Sequence, residues 1–264
     1  MTIDPPFRDG QPIAWTFHRA TSRWLHNVIE PPESRAPMAS HEDLDAPLTR
    51  LPEPAPLDTG LGRLLRDRVS CRVFSSDPIA LTDLGTLLWA AYGSTGRAEF
   101  GPLEVTERPV PSGGGLYPLE VYVLARSVLD LDAGVYHYVP VHHGLEQLRD
   151  EPLPRAFQTY LFMGQHWATD AAAVVVITGV PGRSLWKYGD RGYRYMLLEA
   201  GHAMQNLNLA AIGRGLGSCN LGGFFDDELA AVVRADIEGE FPLYAAAVGL
   251  PATPDRLAQR SIEQ

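Results

Sequence analysis

Apolar residues recur every three or four positions between Arg191 and Ile212. Met196, Ala200, Ala203, Leu207 and Ala211 share one face, which predicts a long helix ended by Gly213, Gly215 and Gly217. Leu84, Leu87, Leu88 and Ala91 mark a shorter helix, with Thr82 as its expected cap and Gly93 as its stop, and Leu61–Arg68 reads as another. Elsewhere the period changes. Leu119–Ala125 is β-rich, and Ala171–Gly179 is a continuous apolar run, the pattern of a strand buried on both faces. Gly134–Tyr138 and His143–Leu148 predict a hairpin turning near Pro140–His142, and Leu243–Val248 supplies a last strand. Helices and hairpins alternate irregularly, so the pattern predicts an α+β layer fold, not a doubly wound parallel sheet.

The first 57 residues differ from the rest. Pro31, Pro32, Pro37, Pro47, Pro52, Pro54 and Pro56 break any long helix, leaving one amphipathic patch, Trp15–Val28. The expected organisation is a proline-rich arm over residues 1–57 and a single larger domain over 58–264. Composition narrows the function. The formal charge is −10, from 22 basic and 32 acidic side chains, with no basic stripe, which argues against nucleic acid as a partner. No apolar run is long enough to cross a bilayer and the N-terminus carries no signal-peptide pattern, so the expected setting is cytoplasmic. Cys71 and Cys219 define neither a disulfide framework nor a zinc site.

Four segments could carry chemistry. Pro111-Ser112-Gly113-Gly114-Gly115-Leu116-Tyr117-Pro118 is a glycine run locked between prolines, either a tight turn before a strand or a side-chain-free wall for a flat ligand. In Arg68-Val69-Ser70-Cys71-Arg72-Val73 an extended chain lines Arg68, Ser70 and Arg72 on one face, either a solvated edge or a grip for a phosphate. The run through Gly213, Gly215 and Gly217 follows a helix instead of a strand, so it is not a dinucleotide fingerprint. The loop expected over Gly215–Phe224 leaves Gly222 and Gly223 free to offer backbone N–H groups. Lys187-Tyr188, just before the long helix, is either surface decoration or a proton-transferring pair. His137, His142 and His143 show no carboxylate or cysteine at matching spacing, so no metal is expected. His202 reads as a hydrogen-bonded core or interface histidine, and Ser112 lies outside any hydrolase elbow.

The order of these motifs resembles the nitroreductase superfamily of FMN-dependent oxidoreductases, most of all its SagB-type azoline dehydrogenase branch. The resemblance runs from about Leu61 to Pro251. It rests on Arg68-x-Ser70-x-Arg72-Val73-Phe74, Leu88-Trp89-Ala90-Ala91-Tyr92-Gly93, Arg108-x-x-Pro111 with the glycine run, and Gly134-Val135-Tyr136-His137-Tyr138. Tyr195-Met196-Leu197-Leu198-Glu199-Ala200-Gly201-His202-x-x-Gln205-Asn206 and Gly215-Leu216-Gly217 complete it.

The resemblance implies a mainly antiparallel sheet flanked by helices and a flavin site built between two subunits of a homodimer. It implies that Arg68, Ser70 and Arg72 hold the FMN phosphate and ribityl chain, with Arg256 as a late phosphate contact. Pro111, Ser112 and Gly113 would lie against the isoalloxazine, and Gly222 and Gly223 near its reactive edge. Lys187 and Tyr188 would be the catalytic pair. The implied reaction oxidises a thiazoline or oxazoline in a peptide to a thiazole or oxazole, with hydride passing to FMN N5 and a proton to the pair. No cyclodehydratase segment is recognisable, so a separate cyclodehydratase partner is expected to form the ring. Two other readings remain: a nicotinamide-dependent nitro or quinone reductase, and a non-catalytic scaffold of a peptide-modifying complex.

Overall fold

The computed structural model describes residues 12–22, 46–100 and 103–253. Its centre is a seven-stranded sheet in the order β1-β6-β5-β4-β7-β9-β8, with every neighbouring pair antiparallel. The strands are β1 (Leu48–Arg50), β4 (Leu119–Ala125), β5 (Gly134–Val139), β6 (Gly144–Arg149), β7 (Ala173–Gly179), β8 (Gly217–Leu221) and β9 (Phe241–Gly249). A separate hairpin joins β2 (Gly96–Phe100) to β3 (Leu103–Glu107). The helices are α1 (Pro12–Ala20), α2 (Leu61–Asp67), α3 (Leu81–Tyr92), α4 (Arg155–Leu161), α5 (His166–Asp170), α6 (Gly182–Tyr188), α7 (Arg191–Gly213) and α8 (Asp226–Val232). This is the expected α+β architecture.

The apolar period explains the layers. Successive strand residues point to opposite faces, and both faces are covered. Val121, Val123, Val175 and Ile177 pack with Leu84, Leu87 and Leu88 of α3 and Met196, Ala203 and Leu207 of α7. Tyr122, Leu124, Val174 and Val176 pack on the other side with Leu161 of α4, Ala168 of α5 and Leu229 of α8. All seven residues of β7 are buried, as its unbroken apolar run requires.

Three expectations need correcting. Thr82 is not the cap of α3, because the helix begins at Leu81 with Ala80 at the cap position and no side-chain capping bond. Thr82 is inside the first turn, where its carbonyl accepts a hydrogen bond from Thr86 Oγ1 at 2.7 Å. The Gly215–Phe224 segment is not all loop, since Gly217–Leu221 pairs with β9 as the edge strand β8. His202 is exposed in the single chain, so it is not a core histidine. In the arm, part of the amphipathic patch forms α1 and packs on α7. Phe17 meets Tyr193 edge-on at 5.7 Å, Arg191 donates to the Thr21 carbonyl at 2.8 Å, and Arg194 donates to the Thr21 hydroxyl. Residues 23–28 of that patch lie outside the described residues.

Candidate functional site

Strand register assembles the first cluster. Leu119, the first residue of β4, stands opposite Gly179, the last of β7, and Val180 N–H donates to the Pro118 carbonyl at 2.8 Å. The glycine run therefore ends beside the start of α6, the helix that carries Lys187 and Tyr188. Gly113–Gly115 form one 3-10 turn, and Gly114 has φ +68, a left-handed conformation open to glycine at little cost. A methyl group on Gly114 would lie 2.5 Å from Tyr188 Oη and 2.8 Å from Lys187 Nζ. A methyl on Gly113 would lie 3.2 Å from the Tyr195 ring, and Tyr195 meets Tyr188 edge-on at 5.0 Å. The missing side chains make room for the lysine–tyrosine pair, a role that neither expectation for the run, a tight turn or a wall for a flat ligand, contained.

A buried polar layer supports this cluster. Ser112 Oγ accepts from Tyr117 N–H at 2.9 Å, closing the loop on itself. Tyr92 Oη donates to Glu199 Oε1 at 2.7 Å and accepts from Leu119 N–H at 3.2 Å. The Arg108 guanidinium stands over the Tyr92 ring at 4.4 Å and the Tyr117 ring at 5.3 Å, and donates to the Tyr92 carbonyl at 2.7 Å. Burial pushes the Glu199 carboxyl up to about 7, against the opposing pull of Ser112, Tyr92 and Arg108.

A second buried layer anchors α6. Arg183, one turn before Lys187, donates to Glu120 Oε1 at 2.5 Å, and both side chains are buried. The other oxygen of Glu120 meets His137 Nε2 at 3.0 Å, and Glu146 meets His137 Nδ1 at 3.1 Å. The sequence shows no carboxylate partner for His137; the sheet supplies two, because β5–β6 pairing sets Glu146 opposite it and Glu120 is two residues from its β4 neighbour Tyr122. Burial alone would raise the Glu120 carboxyl, but His137 and Arg183 outweigh it and hold it at about 2. Burial opposes charge on His137 too, and the two carboxylates overcome it, raising its pKa. Among the described residues no group of three or more His, Cys, Asp or Glu side chains is arranged to hold a metal ion, and in the Glu120–His137–Glu146 group both imidazole nitrogens are taken by the carboxylates.

Arg68, Ser70 and Arg72 form a different cluster. Val69 and Cys71 are buried between them, as the alternation predicts, and Cys71 N–H donates to the Ser218 carbonyl of β8 at 2.9 Å. Burial pushes the Cys219 thiol up, while Arg72, Ser70 and Arg68 pull it back. Neither arginine has an ion-pair partner among the described residues, and Arg72 stands 5.6 Å over the Trp167 ring. Two unpaired guanidiniums beside a hydroxyl suit a phosphate. Gly222 follows β8, is exposed and has open space where a Cβ would stand. Gly223 is backed by Gln165, whose Nε2 donates to its carbonyl at 2.9 Å. The donor set fits a phosphorylated flat ligand such as FMN. Arg256 lies outside the described residues.

In one chain these two clusters share no hydrogen bond, ion pair or ring contact among the described residues. Sequence reasoning missed Glu199, Tyr92 and the Glu120–Arg183 pair as parts of the site. Glu199 carries the one available signal, an acidic residue on the apolar stripe of a long helix.

A family model described as the nitroreductase family matches residues 65–250. A Methanocaldococcus jannaschii protein named as a nitroreductase is 36% identical over 186 residues, 70% of this chain and 88% of its own. The microcin B17-processing protein McbC of Escherichia coli is 31% identical over 140 residues, spanning 52% of each chain. A solved Escherichia coli microcin synthetase McbBCD complex with truncated pro-MccB17 bound has a chain that superposes with a TM-score of 0.58. That likeness, at 22% identity over 97% of this chain and 85% of that one, is one of fold alone.

Proposed function

The chain belongs to the nitroreductase family, and from that premise we propose that it is an FMN-dependent azoline dehydrogenase. It oxidises a thiazoline or oxazoline in a peptide to the thiazole or oxazole, on rings that a separate cyclodehydratase forms. The observation that carries this reading is the packing of Lys187 and Tyr188 on the bare backbone of Gly114. The similarity to a microcin-processing protein supports a peptide as the substrate.

Bound FMN supplies the hydride acceptor. The protein's share is to hold the ring and take its proton. Arg68, Ser70 and Arg72 grip the phosphate end, and the two guanidiniums, without an ion-pair partner among the described residues, are the groups best suited to it. Pro111, Ser112 and Gly113 form the wall against the flavin, while Gly222 and Gly223 present backbone at its edge. Lys187 and Tyr188 stand together on α6, with Lys187 Nζ 5.5 Å from the Tyr188 ring centroid. One of the two removes the ring proton, and Arg183, Glu120 and His137 fix the helix that presents them. Two copies complete one site in this reading, which is supported by the phosphate-gripping cluster and the loop cluster sharing no hydrogen bond, ion pair or ring contact among the described residues of one chain. The exposed Leu197 and Leu198 of α7, at 39% and 57%, offer the apolar surface for pairing.

The Methanocaldococcus relative favours a second reading, a nicotinamide-dependent reductase of nitro or quinone compounds. An anaerobic spectrum separates the two. In the proposed reading an azoline peptide bleaches the flavin and NADH or NADPH does not. Rapid bleaching by a nicotinamide with none by the peptide overturns it.

A further inference from the structure

Glu199 is a buried ionisable group that the proposed chemistry leaves without a task. It lies on α7 one turn after Tyr195, whose ring packs on Gly113, so the two side chains share a helix face turned toward the glycine run. Its Oε1 is committed to Tyr92, which in turn holds Leu119 N–H, the first amide of β4. Its Oε2 is buried with no hydrogen-bond partner, and such an oxygen is costly when charged. Tyr92, which holds Oε1, meets the Tyr117 ring edge-on at 6.2 Å, and Tyr117 N–H is bonded to Ser112 Oγ, so the carboxyl stands beside the Ser112 end of the loop, and the Ser112 hydroxyl pulls it toward ionisation.

Ser112 has one hydrogen to give and two lone pairs, and one lone pair is already taken by Tyr117 N–H. Two arrangements follow. A neutral Glu199 donates from Oε2 to the second lone pair and leaves the Ser112 hydrogen pointing out of the loop. An ionised Glu199 accepts that hydrogen and turns it inward. We propose that Glu199 is a positioning residue that sets the direction of the Ser112 hydroxyl, and with it the hydrogen-bond donor that the loop offers its ligand. The proposal rests on the reading of that loop as a flavin wall.

Burial places the Glu199 transition at about 7, so both arrangements are populated near neutral pH. The other groups facing it are few. Tyr92 comes from α3, the Arg108 guanidinium stands over the Tyr92 ring, and Tyr117 closes the loop from above. On α7 itself Tyr195 precedes Glu199 by one turn, and the exposed His202 follows it.

The test uses the full chain in two arms. In the first, infrared pH-difference spectra without cofactor follow a protonated-carboxyl band that Glu199→Gln removes. The expected midpoint is near 7, and Ser112→Ala moves it upward. A midpoint in the ordinary carboxylate range of about 4.3, or one that Ser112→Ala leaves unmoved, overturns the proposal. In the second arm, FMN affinity is measured by flavin fluorescence from pH 6 to 8. Wild type is expected to weaken about 3- to 10-fold as Ser112 loses its outward donor, the span of one hydrogen bond, and Glu199→Gln to stay flat. A slope that survives in Glu199→Gln overturns the proposal. Failure of every version to bind FMN contradicts the flavin reading, and the infrared midpoint still decides the Glu199–Ser112 coupling.

Discussion

Gly114→Ala perturbs the contact on which the catalytic assignment rests. At φ +68 an L-residue costs about 1–2 kcal/mol relative to glycine. The added methyl group also meets Tyr188 Oη at 2.5 Å and Lys187 Nζ at 2.8 Å, so both must withdraw. These atoms are the ends of half-buried side chains that move cheaply, so the stability loss stays near the backbone cost. For a chain of this size that lowers Tm by about 2–8 °C. The effect on turnover is far larger, because a misplacement of about 1 Å in a catalytic group costs about 100-fold. Gly215→Ala is the matched control: it has φ +72 and nothing within 4 Å of the new methyl. Thermal melts of the two variants should agree, while mass-spectrometric turnover of an azoline peptide falls only in Gly114→Ala. Wild-type turnover in Gly114→Ala would refute the assignment of Lys187 and Tyr188.

Lys187→Ala and Tyr188→Phe should keep the visible flavin spectrum and slow ring oxidation by about 10²–10⁴-fold, the usual worth of a general base. Leu198→Glu should turn a dimer into a monomer in sedimentation and strip FMN from it; a monomeric variant with unchanged FMN affinity contradicts a shared site. Glu199 has a folded pKa raised to about 7 from 4.5, so its contribution to stability is present below pH 4.5 and lost as pH rises through 7. That loss is about 3 kcal/mol, and urea midpoints at pH 5 and pH 8 should show it in wild type and not in Glu199→Gln. Glu120 has the opposite sign. Held at about 2, it stabilises the fold above pH 4.5, and that contribution fades as pH falls toward 2. Glu120→Gln should therefore weaken the protein at pH 7 more than at pH 3 in the same assay.

Much of the fold was legible because strands buried on both faces leave apolar runs that nothing else explains. β4 and β7 show this, and α7 shows the helical counterpart. Other elements left no such trace. Gly217–Leu221 reads as a loop because glycine, serine and asparagine dominate it, and only its ladder with β9 makes it a strand. Leu48–Arg50 sits among prolines and is extended because β6 offers it an edge. In the site, the face shared by Arg68, Ser70 and Arg72 follows from alternation alone. The meeting of Lys187 and Tyr188 with Gly114 depends on the register of Leu119 against Gly179, which no local pattern encodes. The same holds for Glu199 and Tyr92, which are 107 residues apart in the chain and joined only by packing of α3 on α7.

The central claim is the oxidation of an azoline ring, and one measurement addresses it directly. An azoline peptide is incubated in air with FMN-loaded wild type and with FMN-loaded Lys187→Ala, and its mass is followed. The account predicts loss of two hydrogens per ring with wild type and an unchanged mass with the variant over the same time. An unchanged mass with flavin-loaded wild type, or equal conversion by both proteins, would contradict it.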